Sequence, residues 1–233
     1  MFFYNPTYLL YMAPAFLLML LATWYVNSAY RRWGRVPSRS QMSGYQAARR
    51  LIAAGGLHDV QIEGVGGNLS DHYDPRRKVL RLSRRVAESS SVASLAVAAH
   101  ELGHAMQDRE DYFPLRFRAA LVPMVNIGSY LGWILIVLGL LFNWLDLAWL
   151  GVVAFAGGAV FALATIPVEF NASKRARQLL TTSGLIVTDD ERRGVNTVLN
   201  AAALTYVAAL LTAVLQLLYY VSLVGGLGGR RRS

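Results

Sequence analysis

The sequence predicts a mainly α-helical membrane protein with about four transmembrane helices and a small α+β part outside the bilayer. The chain has 233 residues, of which 55% are hydrophobic and only 16% are charged. Its mean hydropathy is +0.35, which is too apolar for a soluble domain of this length. Four stretches are long enough to cross a hydrocarbon core of about 30 Å, which takes about 20 apolar residues.

The four apolar stretches contain no Lys or Arg, and they cover residues 8–26, 119–142, 145–166 and 199–224. The first stretch fits an uncleaved anchor better than a signal peptide. No basic residue precedes it, and Asn27-Ser28-Ala29 is a poor cleavage site.

The positive charge predicts how the chain lies in the membrane. Residues 31–118 hold 15 of the 23 Lys and Arg, residues 167–198 hold five, and the turn between the second and third stretches holds none. By the positive-inside rule, both basic regions are cytoplasmic and the N-terminus is outside, in a multi-pass protein of the inner (cytoplasmic) membrane. Three arginines, 230–232, would lie outside if the last stretch crosses, which leaves open whether that helix is re-entrant.

These patterns divide the chain into five parts. They are a transmembrane anchor (1–30), a cytoplasmic region (31–118), a transmembrane hairpin (119–166), a cytoplasmic helix (167–198) and a C-terminal membrane helix with a basic tail (199–233). The net charge of +9 follows from this topology and from contact with anionic lipids. A nucleic-acid partner is not expected, because the sequence shows no basic module with interleaved aromatics. The absence of Cys excludes disulfides and fits a reducing compartment.

One motif indicates metal chemistry. Residues 100–104 read His-Glu-Leu-Gly-His, an HExxH sequence. Residues four apart lie on one face of a helix, about 6 Å apart along its axis, so both imidazoles can reach one Zn²⁺. Glu101 would lie beside the metal, where it can act as general base towards a water in peptide hydrolysis. The alternative is a pair of core histidines on an amphipathic helix.

A catalytic zinc usually has three protein ligands, and the best third candidate is Glu169. No further His follows His104 at the metzincin spacing, and Glu169 comes 65 residues after it, at the end of the third apolar stretch. The hairpin leaves the cytoplasm after His104 and returns just before Glu169, so both reach the same membrane face. The alternative is a surface glutamate that caps the next helix.

The rest of the cytoplasmic region predicts a small zincin-like α+β part. Residues 42–56 form a short helix capped by Ser43, and residues 89–91 cap the helix that carries the HExxH motif. Two alternating runs, 59–63 and 78–83, predict a sheet of two or three strands with a turn at 74–77. The second run is expected to be the edge strand beside the cleft, where an extended substrate can pair through its main chain: Lys78, Val79, Leu80, Arg81, Leu82 and Ser83.

Two further residues are candidates for stabilising an oxyanion. His72 could donate to the developing charge, or it could hold the hairpin turn. Tyr206 lies near the cytoplasmic end of the last apolar stretch, where an interfacial aromatic is an equally good explanation.

Four segments resemble the neutral zinc metallopeptidase family of small membrane proteins, the YugP-like peptidases. They are residues 69–83, 97–107, 166–176 and 198–210. The resemblance implies a gluzincin-type endopeptidase with one zinc per chain, ligands His100, His104 and Glu169, and Glu101 as the catalytic base. Asn171 stands where the family more often has Asp, and Asn171 and Ser173 are expected to support the ligands.

The leading hypothesis is therefore a zinc endopeptidase that hydrolyses membrane-associated or unfolded proteins at the cytoplasmic face of the bilayer. One alternative is an intramembrane site-2-type protease, which needs an acidic ligand inside a later span. Another is a catalytically silent, zinc-stabilised membrane scaffold, for which Glu101 would be unnecessary. The lipid bilayer and peptide substrates are the expected partners, and a homo-oligomer or a membrane partner protein is left open.

Overall fold

The protein, seen here in a computed structural model, is described over residues 6–229, with side chains to residue 226. Within this range the helices and strands follow one another as α1 (Pro6–Trp33), α2 (Gly44–Ala54), β1 (Gln61–Val65), β2 (His72–Asp74), β3 (Val79–Ser83), α3 (Arg84–Glu88), α4 (Val92–Arg109), α5 (Phe113–Leu141), α6 (Leu145–Thr182) and α7 (Asp189–Gly229).

Four helices, α1, α5, α6 and α7, are long and apolar enough to cross a membrane. The predicted mainly helical membrane fold with a small sheet is therefore confirmed. Each helix is longer than its apolar stretch, and α6 continues 16 residues beyond Ile166. Helix α7 is unbroken from Asp189 to Gly229, so the described residues contain no re-entrant turn there. The arginines at 230–232 lie outside the described residues.

The chain forms two compact units. Within the described residues, the apolar unit comprises 6–22, 116–166 and 205–229, and the α/β unit comprises Thr23–Leu115 and Pro167–Leu204. Helix α6 contributes to both, because the boundary falls between Ile166 and Pro167.

Helix α4 lies at the centre of the α/β unit and is built largely from small residues. Ala93, Ala96, Ala98, Ala99 and Ala105 are all at most 1% exposed, so neighbouring elements can approach the helix on several sides. Helices α2 and α3 and strands β2 and β3 all contact it. Both predicted caps are present: Ser43 forms a capping box with Gln46, and Ser91 accepts from the backbone N–H of Ser94.

The three-stranded sheet has the order β1-β3-β2, with β1 parallel and β2 antiparallel to β3. The prediction that residues Lys78–Ser83 form an edge strand is wrong, because Val79–Ser83 pair with a strand on both sides. Four of the five residues of β3 are buried, as a central strand requires. The edge strand that contacts α4 is β2.

In the apolar unit, α5 and α6 pack closely through glycines. A Cβ on Gly132 would lie 2.8 Å from the carbonyl oxygen of Gly151, and one on Gly139 would lie 2.4 Å from the backbone nitrogen of Ala148. These glycines of α5 therefore pack against α6 within the hairpin.

Candidate active site

Two histidines of α4 and one glutamate of α6 converge in the α/β unit. The Nε2 atoms of His100 and His104 lie 3.2 and 3.6 Å from the same oxygen, Oε2 of Glu169. One ligand atom from each residue lies within 4.8 Å of the others. The Glu169 side chain is only 2% exposed, so this carboxylate is held away from water against the two imidazoles.

The spacing of these donors fits a zinc ion. Two ligands at about 2.0–2.1 Å from zinc, in tetrahedral arrangement, are about 3.3–3.4 Å apart. The two measured nitrogen–oxygen separations lie on either side of that value. Two imidazole nitrogens and one carboxylate oxygen are also a ligand set found in catalytic zinc sites with an open fourth position.

A buried glutamine determines which ring nitrogen of His104 is unprotonated. Gln107 is fully buried, and its Nε2 donates to the carbonyl oxygen of Val168 at 2.8 Å. Since that carbonyl can only accept, the amide oxygen of Gln107 faces Nδ1 of His104, at 2.9 Å. Nδ1 must therefore carry the proton, which leaves the Nε2 lone pair directed at the candidate metal position.

Asn171 reaches His104 through Gln107 rather than directly. Its Oδ1 accepts from Nε2 of Gln107 at 2.9 Å and from Nε of Arg175 at 2.7 Å. A guanidinium can only donate, so Arg175 fixes the orientation of the Asn171 amide. Arg175 is itself paired with Glu110 at 2.7 Å. A continuous chain of hydrogen bonds thus runs from Glu110 to the imidazole of His104.

Helix α6 contacts both ring nitrogens of His100. Oγ of Ser173 lies 3.3 Å from Nδ1 of His100, on the side of the ring opposite Glu169. If Nδ1 donates to this hydroxyl, Nε2 of His100 is also unprotonated and available to a metal.

Glu101 is positioned by strand β2. The backbone N–H of Tyr73 donates to Oε2 of Glu101 at 3.2 Å, and the Tyr73 hydroxyl donates to Asp108 of α4 at 3.0 Å. Burial raises the pKa of Glu101 above its ordinary value, although the neighbouring imidazoles lower it. A carboxyl with a raised pKa is better suited to take up and return a proton near neutral pH.

The structure describes contacts of one of the two oxyanion candidates. His72 is exposed; its Nδ1 donates to the Ser70 carbonyl at 2.8 Å, and its Nε2 accepts from Arg81 at 3.3 Å. These contacts favour the alternative in which His72 holds the hairpin. Tyr206 belongs to the apolar unit, and its role stays a prediction.

Sequence reasoning missed Gln107, Tyr73 and Gly103. Gln107 stands three residues after His104, at a spacing that places both on one helix face, but the sequence does not show that it is buried. Gly103 allows a close backbone approach of α4 to α6, since a Cβ there would lie 2.5 Å from the carbonyl oxygen of Ala172.

Replacing Gly103 by Ala should separate α4 from α6. We expect a loss of about 1–3 kcal/mol in unfolding free energy from overpacking and weaker metal binding, measured by thermal unfolding and metal titration. Gly157→Ala is the matched control, because nothing lies within 4 Å of its Cβ position. Equal behaviour of the two variants would contradict the close-packing interpretation.

Replacing Gln107 by Leu should release the tautomer of His104 and leave the Val168 carbonyl without its partner. We expect zinc affinity to fall about 10–100-fold, measured by competition with a chelator. Gln178→Leu, at an exposed position of α6, should leave the affinity unchanged. An unaltered affinity in the Gln107 variant would remove Gln107 from the support of the site.

Comparisons with known proteins agree with this geometry. The family model described as "Putative neutral zinc metallopeptidase" matches residues 8–225. The chain is 44% identical over 196 residues to the "Putative membrane protease YugP" of Bacillus subtilis (strain 168), covering 84% of this chain and 87% of that relative. No solved structure matches the chain significantly. With a matched family model that spans nearly its whole length and a relative of this similarity, the chain belongs to the neutral zinc metallopeptidase family of membrane proteins.

Proposed function

We propose that the protein is a gluzincin-type zinc endopeptidase that cleaves membrane-associated or unfolded proteins at the cytoplasmic face of the membrane. The observation that carries this proposal is the convergence of His100, His104 and Glu169, with Glu101 beside the two histidines on α4. Two imidazoles and a buried carboxylate would hold one zinc ion. When bound, that ion would supply a Lewis acid that polarises a carbonyl and makes water more acidic.

Glu101 would perform the proton transfers of the reaction. As the water oxygen forms a bond to the carbonyl carbon of the substrate, its proton passes to the Glu101 carboxylate. When the carbon–nitrogen bond breaks, the same proton passes to the leaving amine. The Tyr73 N–H holds one carboxylate oxygen in place, so the side chain is oriented before the substrate arrives.

The edge strand β2 is the best candidate for pairing with an extended substrate. The N–H of Tyr73 is directed at Glu101, which means that this edge of β2 is turned away from β3 and towards the site. Because this N–H is already engaged, a substrate would pair with the other main-chain groups of the edge. Main-chain groups on such an edge can bind a peptide in extended conformation without requiring a particular side chain. This mode fits a peptidase that acts on loosely folded segments.

The proposed location rests on the sequence. Glu169 follows Ile166, the last residue of the third apolar stretch, by three positions, and the regions on both sides of the hairpin are rich in Lys and Arg. An intramembrane site-2-type mechanism is disfavoured, because α4 belongs to the α/β unit and is not among the four helices suited to cross a membrane.

Glu101→Gln is the experiment that separates a peptidase from a zinc-stabilised scaffold. The amide has a similar shape but cannot accept the proton, so hydrolysis of an unfolded protein by the purified, zinc-loaded enzyme should fall on the order of 10²–10⁴-fold. Zinc content should be unchanged, whereas His104→Ala should lose both zinc and activity.

Glu88→Gln is the matched control, because this exposed glutamate pairs only with Arg84 among the described residues. Cleavage by the Glu101→Gln protein at the wild-type rate would show that the assigned mechanism is wrong. If wild type and variant both bind zinc, stay folded and cleave nothing, the scaffold is the better explanation.

The orientation can be tested with single cysteines, since the chain has none of its own. Arg76→Cys and Asp190→Cys lie at exposed positions of the two basic regions, and Trp144→Cys lies at an exposed position between α5 and α6. We expect a membrane-impermeant thiol reagent to label position 144 in intact cells, and positions 76 and 190 only after permeabilisation. The reverse pattern would place the site outside.

A further inference from the structure

One face of α5 carries polar and aromatic side chains that the described residues leave largely exposed. Val122, Asn126, Tyr130 and Trp133 follow one another at intervals of four, four and three residues, which places them on one side of the helix. Val122 is 42% exposed, Tyr130 78% and Trp133 53%, and Asn126 is also exposed. The last three of these residues line a shallow groove along the helix.

The depth of this face in the bilayer makes its polarity costly. Tyr130 lies at the middle of the apolar stretch 119–142, and Asn126 is one turn away from it. Water is absent at that depth, and lipid tails offer neither donors nor acceptors. The Asn126 amide has no hydrogen-bond partner among residues 6–226, so lipid alone would leave both of its polar groups unsatisfied.

The face is not needed to hold the hairpin together. Helix α5 packs against α6 through Gly128, Gly132 and Gly139, and Gly128 and Gly132 lie on the side of the helix away from Asn126. The side that carries Asn126 is therefore a second surface of α5, left over after the intramolecular contact is made.

We propose that this face is the contact between two copies of the chain in the membrane. The bilayer gives both copies the same orientation, so a two-fold axis must run along the membrane normal, and two α5 helices facing that axis are parallel. Residues at equal depth then meet. An amide contains both a donor and an acceptor, so Asn126 can pair with Asn126 of the second copy.

A second copy is the occupant that best fits the face. A foreign helix would need a polar group at the same depth as Asn126, whereas symmetry places an identical amide there. Tyr130 and Trp133 would be covered in the same contact, and large aromatic side chains are typical of the centres of interfaces. This inference does not depend on the proposed peptidase activity, because it involves residues of the apolar unit alone.

Cross-linking of the full-length protein in native membranes tests the proposal. Val122→Cys keeps the three polar and aromatic residues of the face and lies one turn from Asn126. A short bifunctional thiol reagent should convert this variant into a covalent dimer. Val153→Cys is the matched control: this valine of α6 is more exposed, at 69%, but lies on another helix and should give no dimer.

A second substitution identifies the interaction. Adding Asn126→Leu to Val122→Cys should weaken dimerisation on the order of tenfold, whereas Asn126→Gln, which keeps an amide, should retain most of the cross-linking. No dimer with Val122→Cys, equal dimer with Val153→Cys, or a product of Val122→Cys with a different protein would each overturn the proposal. So would a dimer that Asn126→Leu leaves at full strength.

Discussion

The close backbone approach of α4 and α6 at Gly103 and Ala172 is the constraint on which the site depends. Imidazole and carboxylate side chains are short, so ligands on two helices can meet at one point only if the helices nearly touch. A Cβ at position 103 would lie 2.5 Å from a backbone oxygen of α6. The glycine between the two histidines thus serves the geometry of the site. The alanines on both helices extend the same close packing along α4.

Much of this arrangement could be predicted from the sequence because it depends on local patterns. The apolar stretches, the helix caps at Ser43 and Ser91 and the two histidines four apart all follow from spacing along the chain. Glu169 could be proposed because the hairpin returns the chain to the same side. The convergence of these three residues in the structure agrees with that reasoning.

The features that could not be predicted depend on pairing between distant segments. The alternation in residues 78–83 indicates a strand, but it does not show that β1 pairs with β3 in parallel and leaves β2 at the edge. Gln107 looks like any polar residue on a helix. Only the fold shows that it is fully buried and that Val168 and Asn171 fix its orientation. The support of a candidate metal ligand is therefore less visible in sequence than the candidate itself.

Helix α6 supplies a candidate metal ligand and also orients the two histidines. Glu169 and Ser173 are four residues apart, so they lie on one face of the helix, and they contact opposite nitrogens of the same imidazole, that of His100. One turn of α6 thus holds both nitrogens of this ring in position. For His104 the two tasks are divided, because Glu169 faces Nε2 while Gln107 of α4 faces Nδ1. Since Gln107 is oriented by Val168 and Asn171, which also belong to α6, a shift of this helix would disturb both rings together. The positions of the two histidines are therefore coupled through a single helix, and the site can be expected to form or to fail as a unit.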